Sequence, residues 1–161
     1  MCTLKFAPIG GVLSSGAWDG TVKVWDVYKS HNVETLVHQR DVLALDFRGD
    51  GKELVTATSA GTLQFWDLEE GTVKSVIEGG KDVKGGRKEN DRMTADNNAM
   101  GRHFTTVVYS ADGAHVLAGG NSRYICIYNV ATSMLVKKVR SDEGRRTAGA
   151  KRQQHTAHQY N

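Results

Sequence analysis

Cysteine and proline are scarce in this chain. Its 161 residues include two cysteines, Cys2 and Cys126, and one proline. Two widely separated cysteines do not make a disulfide framework or a cysteine-rich zinc site. Cys126 lies within an apolar run and is predicted to be a small buried strand residue. The six histidines are also scattered along the sequence, so neither a metal site nor a cofactor is expected.

Long hydrophobic runs are missing as well. The apolar stretches have only the length of strands, which argues against a signal peptide and a membrane-spanning helix. The formal net charge is +3, and this mild excess does not by itself demand nucleic acid. No membrane partner and no small-molecule substrate are therefore expected, and a reducing intracellular compartment is the default.

Motifs for catalysis are not apparent in the sequence. Residues 85–88 lack the spacing and the hydroxyl residue of a phosphate-binding P-loop. The serines are not surrounded by the pattern of a nucleophile elbow. The carboxylates Asp46, Asp50 and Asp112 are expected in turns or on exposed strand faces. The sequence thus predicts no catalytic residue and no enzyme.

The chain does contain a repeat. Three windows superimpose without a gap, and in each a leading aromatic residue precedes a closing aromatic residue by 19 positions. The leading residues are Phe6, Phe47 and Tyr109, and the closing residues are Trp25, Trp66 and Tyr128. An aspartate or asparagine follows each closing residue: Asp26, Asp67 and Asn129. The first two windows are offset by 41 residues, the period of four-stranded propeller blades.

Each window reads as four short strands joined by turns. In the second, apolar residues 42–47 and 54–57 flank Asp50-Gly51, which is a hairpin signal because glycine tolerates positive φ. The prediction is an all-β fold over residues 1–140, a partial β-propeller of about three antiparallel blades. The blades are placed at about residues 1–38, 42–78 and 104–140.

Two segments do not fit the repeat. An insert at residues 79–103 is polar and glycine-rich, which predicts a long loop between blades. The segment 141–161 has neither strand alternation nor a helical stripe and is expected to be a disordered tail.

The insert has two interpretations that the sequence leaves open. Residues 79–102 contain six Lys or Arg and four Asp or Glu, a net charge of +2. They form either a solvated loop or a peptide-like arm that docks on a partner protein or an RNA backbone. The candidate contact residues of such an arm are Lys84, Arg87, Lys88, Arg92 and Arg102.

Closure of a propeller takes about 4–8 blades, more than the windows supply. The chain is therefore expected to be part of a larger propeller, whose remainder is needed for closure. Uncovered sheet faces and edges in an open array invite pairing with another chain. A truncated product and a split protein completed by a partner both remain open.

Residues 16–26 resemble the consensus of the WD-repeat family. In that family a histidine, a turn aspartate, a strand Ser or Thr and a terminal tryptophan share a buried hydrogen-bond network. No window here has the whole set, since Ala60 replaces the turn aspartate of the second and Tyr128 the tryptophan of the third. The resemblance implies that the structural residues of the repeat are Asp19, Trp25, Asp26, His38, Trp66, Asp67 and Tyr128.

Segments 86–95, 104–113, 117–122 and 125–128 resemble one group within that family, the two-propeller subunits of the small-subunit processome. The resemblance implies a fragment of the second propeller, acting as a non-catalytic scaffold in 18S ribosomal RNA maturation in the nucleolus. The implied partners are other WD-repeat processome subunits, the U3 snoRNP and pre-ribosomal RNA. A generic WD-repeat adaptor and a truncated, non-functional fragment are the alternatives.

Overall fold

The computed structural model describes residues 2–83, 103–122 and 124–140. The predicted tail at 141–161 and most of the insert lie outside these ranges. Twelve strands are found in the described part of the chain. They are β1 (Thr3–Phe6), β2 (Val12–Gly16), β3 (Thr21–Asp26), β4 (His31–Val37), β5 (Val42–Phe47), β6 (Glu53–Thr58), β7 (Leu63–Asp67), β8 (Thr72–Ile77), β9 (Phe104–Tyr109), β10 (His115–Gly120), β11 (Tyr124–Asn129) and β12 (Met134–Arg140).

The strands form three separate antiparallel sheets of four strands each. Blade 1 contains β1 to β4, blade 2 contains β5 to β8, and blade 3 contains β9 to β12, with neighbours in the sheet following the order of the chain. The first strands of the blades lie side by side, β5 packing against both β1 and β9. The predicted all-β fold of three four-stranded blades is confirmed, and the open sheets fit a partial propeller.

The same irregularity occurs at one place in every blade. Between the third and fourth strands the register shifts immediately before the closing aromatic residue. In each case the fourth strand contributes one unpaired residue, which makes a β-bulge. The bulged residues are Val33, Lys74 and Val136.

The apolar core lies between the blades, in two clusters. The first joins blade 1 to blade 2 and includes Val22, Leu36 and Phe47. The second joins blade 2 to blade 3 and includes Phe65 and the side chains of blade 3 that face it. Blade 2 is covered on both faces, and every residue of its second strand, β6, is consequently buried.

A hydrogen-bond network is buried where blade 1 meets blade 2. Trp66 Nε1 donates to His38 Nε2 at 3.1 Å, and the same nitrogen lies 2.8 Å from Thr56 Oγ1. Because an indole only donates, Nε2 is the acceptor and the neutral imidazole carries its proton on Nδ1. His38 is 6% exposed, and this burial lowers its pKa, while the carbonyls of Gly20 and Leu36 oppose the shift. The folded state therefore favours the neutral imidazole.

This burial predicts a loss of stability in acid. The pKa of His38 is lower in the folded chain than the ordinary value of 6.5, so below that pH the unfolded chain binds more protons. The contribution of His38 to the free energy of unfolding is therefore at its maximum above about pH 6.5. It decreases at lower pH, by at most about 1.4 kcal/mol per pH unit. Urea unfolding at about pH 7.5 and about pH 5 measures the difference, which should shrink in His38→Gln.

The exposed His31 provides the matched control. His31→Gln should keep the wild-type pH dependence. An unchanged pH dependence in His38→Gln would mean that other groups cause the acid sensitivity.

Two adjacent glycines of β10 give a second test of the packing. A Cβ on Gly120 would lie 2.2 Å from the His103 carbonyl oxygen and 2.9 Å from the Thr105 nitrogen, and both atoms belong to backbone. A Cβ on Gly119 would meet nothing within 4 Å. Gly120→Ala should lower the free energy of unfolding by about 1–3 kcal/mol, and Gly119→Ala by no more than about 0.5 kcal/mol. Equal effects in denaturant titrations would contradict this packing.

Candidate interaction surface

The aspartate or asparagine after each closing aromatic residue forms the turn that follows it. Asp26 Oδ1 accepts from the backbone nitrogens of Tyr28 and Lys29 at 3.0 Å. Asp67 Oδ1 accepts from the Glu69 nitrogen at 2.9 Å. The Lys29 amide, followed by the Lys29 charge, lowers the pKa of Asp26. These residues shape the turns between the third and fourth strands at the edge of each blade.

Asp19 does the same between β2 and β3. Its Oδ1 accepts from the Thr21 hydroxyl at 2.6 Å and from the Thr21 backbone nitrogen at 2.9 Å. The Thr21 hydroxyl is the main reason that the pKa of Asp19 lies below its ordinary value. Asp19 thus stabilises the turn in which it lies.

The closing aromatic residues have a different polar partner in each blade. Trp66 binds His38, as described above, whereas Trp25 Nε1 donates to Ser15 Oγ at 3.0 Å. Tyr128 donates its hydroxyl to Asp82 Oδ2 at 2.9 Å. Burial raises the pKa of Tyr128, which stays a neutral donor.

The partner of Tyr128 was missed in the sequence. A buried tyrosine hydroxyl normally needs an acceptor, so the replacement of tryptophan was a signal that some nearby residue supplies one. The signal does not identify Asp82, which lies 46 residues away at the start of the insert.

The prediction that Asp46 is exposed or in a turn is wrong. Asp46 is 7% exposed, because its strand β5 lies between β1 and β9. Asp46 Oδ1 lies 3.2 Å from Lys5 Nζ of blade 1, and Oδ2 accepts from the Tyr109 backbone nitrogen of blade 3 at 2.8 Å. One carboxylate therefore connects the first strands of all three blades.

A second buried carboxylate, Glu53, joins blade 2 to blade 3. It accepts from the Tyr109 hydroxyl at 2.7 Å, from Arg48 at 3.1 Å and from Lys74 at 3.3 Å. Burial, followed by the hydrogen bond to Glu53, raises the pKa of Tyr109. A buried charge is tolerated only when it is paired and hydrogen-bonded, and two cations meet that need here.

The polar groups around Asp46 and Glu53 form hydrogen bonds and ion pairs with one another, and these contacts hold the blades together. Among the described residues, no group of three or more His, Cys, Asp or Glu is placed to hold a metal ion. The same ranges contain no helix that is long and apolar enough to cross a membrane.

The described start of the insert has a fixed position. Asp82 and Val83 donate their backbone nitrogens to the Gly79 carbonyl, and the Val83 side chain is buried in the core between blades 2 and 3. A Cβ on Gly79 would lie 2.4 Å from the Phe104 ring. The next described residue is His103, whose carbonyl packs on Gly120.

The predicted contact residues cannot be located in the same way. Lys84, Arg87, Lys88, Arg92 and Arg102 all lie outside the described residues. What the structure does place is the two ends of their segment: Val83 in the core between blades 2 and 3, and His103 against Gly120 of blade 3.

Comparison with known proteins agrees with this architecture. The family model described as "WD domain, G-beta repeat" matches residues 1–26 and 30–67, which belong to blades 1 and 2. Blade 3, where Tyr128 replaces the closing tryptophan, lies outside these matches.

Several curated relatives share one name. The chain is 47% identical over 136 residues to Periodic tryptophan protein 2 of Arabidopsis thaliana. It is 45% identical over 137 residues to the homolog of Schizosaccharomyces pombe and 46% identical over 136 residues to that of Mus musculus. Each match covers 84% of this chain but only 15% or 16% of the relative, so the chain spans about 15% of the length of these relatives. The chain contains WD repeats in blades 1 and 2, and over most of its length it is similar to the Periodic tryptophan protein 2 homologues.

Proposed function

We propose that this chain is a non-catalytic scaffold in ribosome biogenesis, acting as a segment of a small-subunit processome subunit in the nucleolus. The observation that carries the proposal is the similarity to Periodic tryptophan protein 2 homologues across 84% of the chain. The processome role is the one that the residues of the insert and of blade 3 imply by resemblance. Its partners are other WD-repeat processome subunits, the U3 snoRNP and pre-ribosomal RNA.

The chemistry of the blades supports a scaffold. The groups that most often act as acids, bases or charge stabilisers are engaged between blades: His38 with Trp66, and Glu53 with Tyr109 and two cations. Their contacts fix the position of one blade against the next. Rigid surfaces of this kind hold binding segments at set distances, which is what an assembly factor needs.

The insert is the segment that we propose to contact partners. Its described ends are anchored, Val83 in the core between blades 2 and 3 and His103 against Gly120 of blade 3. Its sequence has a net charge of +2. Lys and Arg on such a segment attract phosphate by a salt-dependent electrostatic interaction, and they bind acidic protein surfaces by the same attraction.

Charge reversal in the insert tests this proposal. The triple variant Arg87→Glu, Lys88→Glu, Arg92→Glu should reduce recovery of U3 RNA about tenfold or more, because phosphate contacts become repulsive. The measurement is affinity purification of the tagged chain, followed by sequencing of RNA and mass spectrometry of proteins. Thermal unfolding should be unchanged, because the proposal assigns these three charged residues to partner contacts and not to the packing of the blades.

A matched control changes the same amount of charge elsewhere. The triple variant Lys23→Glu, Lys52→Glu, Lys137→Glu reverses one exposed lysine on each blade and should retain U3 RNA. Normal recovery with the insert variant would remove the insert from the proposal. Recovery of an unrelated complex with the wild-type chain would contradict the processome role and favour a general adaptor.

A further inference from the structure

The closing aromatic residue of blade 2 has two polar side chains beside it. Trp66 donates to His38 Nε2, and that nitrogen lies 2.8 Å from Thr56 Oγ1. At the equivalent positions of blade 3, 62 residues further along the sequence, Met100 replaces the histidine and Ala118 replaces the threonine. A thioether accepts hydrogen bonds only weakly, and a methyl group does not accept them. These two positions therefore offer the closing residue of blade 3 no strong acceptor.

The insert supplies an acceptor instead. The Tyr128 hydroxyl donates to Asp82 Oδ2 at 2.9 Å. Tyr128 is fully buried. Without Asp82, its hydroxyl would lose the hydrogen bonds that water provides in the unfolded chain, and this loss would lower the stability of the folded state. Asp82 thus does for blade 3 what His38 does for blade 2.

The residues around Asp82 are built into the junction between blades 2 and 3. Asp82 and Val83 donate their backbone nitrogens to the Gly79 carbonyl at 3.0 and 3.2 Å, which closes a turn. The Val83 side chain is 2% exposed and belongs to the core between the two blades. Lys138 Nζ of β12 donates to the Asp82 carbonyl. The turn follows the last strand of blade 2 and is bound to two strands of blade 3, β11 and β12.

The backbone of this turn also lies close to the rings of blade 3. Phe104 and Tyr128 pack edge to face, with ring centroids 6.2 Å apart. A Cβ on Gly79 would lie 2.4 Å from the Phe104 ring and 2.8 Å from the Tyr128 hydroxyl oxygen. The turn therefore fits this place only with glycine at its first position.

We infer that Asp82 is a positioning residue, whose hydrogen bond to Tyr128 fixes the first residues of the insert, 79–83, on blade 3. Both blades of this junction belong to the described part of the chain, and the contact lies between them. The consequence for partner binding rests on the proposed function. The charged residues of the insert follow directly after Val83, so a fixed start limits where they reach.

Hydrogen exchange of single backbone amides in the 161-residue chain tests the inference, because it reports local opening. The amides of Asp82 and Val83 are the reporters, since both close the turn. Tyr128→Phe removes the hydroxyl but keeps the ring. It should lower the protection of these two amides about tenfold or more, because a hydrogen bond to a charged group is lost. Asp82→Ala should act alike, and the double variant should be no less protected than either single variant.

Tyr109→Phe is the matched control. It also removes a buried tyrosine hydroxyl at the junction between blades 2 and 3, one that donates to Glu53. It should leave the amides of the turn with the protection of the wild type. Asp82→Asn provides a rescue, because its amide oxygen still accepts from Tyr128, and it should retain most of the protection that Asp82→Ala loses.

Recovery of U3 RNA with the tagged chain measures the consequence for partner binding. Tyr128→Phe should lower the recovery about threefold or more, because apparent affinity falls with the fraction of chains that hold the insert in place. Tyr109→Phe should recover U3 RNA like the wild type.

The possible outcomes separate the inference from the proposed function. Unchanged protection in Tyr128→Phe would overturn the inference, and so would an equal loss in Tyr109→Phe, since the amides would then follow the stability of the whole junction. Lost protection with normal recovery of U3 RNA would refute a positioning role in partner binding. A wild-type chain that recovers no U3 RNA would contradict the proposed function, while the exchange rates would still decide the inference. If circular dichroism shows that Tyr128→Phe is unfolded, the comparison of Asp82→Ala with Asp82→Asn decides it.

Discussion

The packing of one apolar sheet face on the next is the interaction on which this structure depends. The apolar face of a sheet must be buried against another element, and in this chain that element is the neighbouring blade. Stability therefore comes from the junctions, where side chains from two blades meet. The hydrogen bond between Trp66 and His38 lies at one of those junctions, so it forms only when blades 1 and 2 have docked.

The middle blade illustrates this dependence on packing between blades. It carries the two buried carboxylates, Asp46 and Glu53, and each is paired with groups from a neighbouring blade. In an isolated blade both carboxylates would be solvated and would contribute little to stability. Docking turns them into constraints on geometry, because a buried charge tolerates only arrangements that keep its partners.

The sequence predicted the strands well and the junctions poorly, for a physical reason. Strands and hairpins follow from local signals, the alternation of apolar residues and turns such as Asp50-Gly51, and both reappear in the structure. The roles of Asp46 and Asp82 follow from what the neighbouring blade brings within reach. Asp46 looked like an exposed strand residue because a sequence gives no sign of which faces of a sheet will be covered. The network residue His38 was predictable only through the family resemblance.

The β-bulge in the fourth strand of each blade has a consequence of its own. A bulged residue is released from the strict alternation of the ladder, so its side chain can point where a paired residue cannot. In blades 1 and 3 this position holds valine, and both valines are exposed. In blade 2 it holds Lys74, which reaches Glu53 and Asp67 together. The bulge is thus a position at which blades with the same strand pattern can differ in function. One substitution there gives a blade a new polar contact without altering the pattern of its strands.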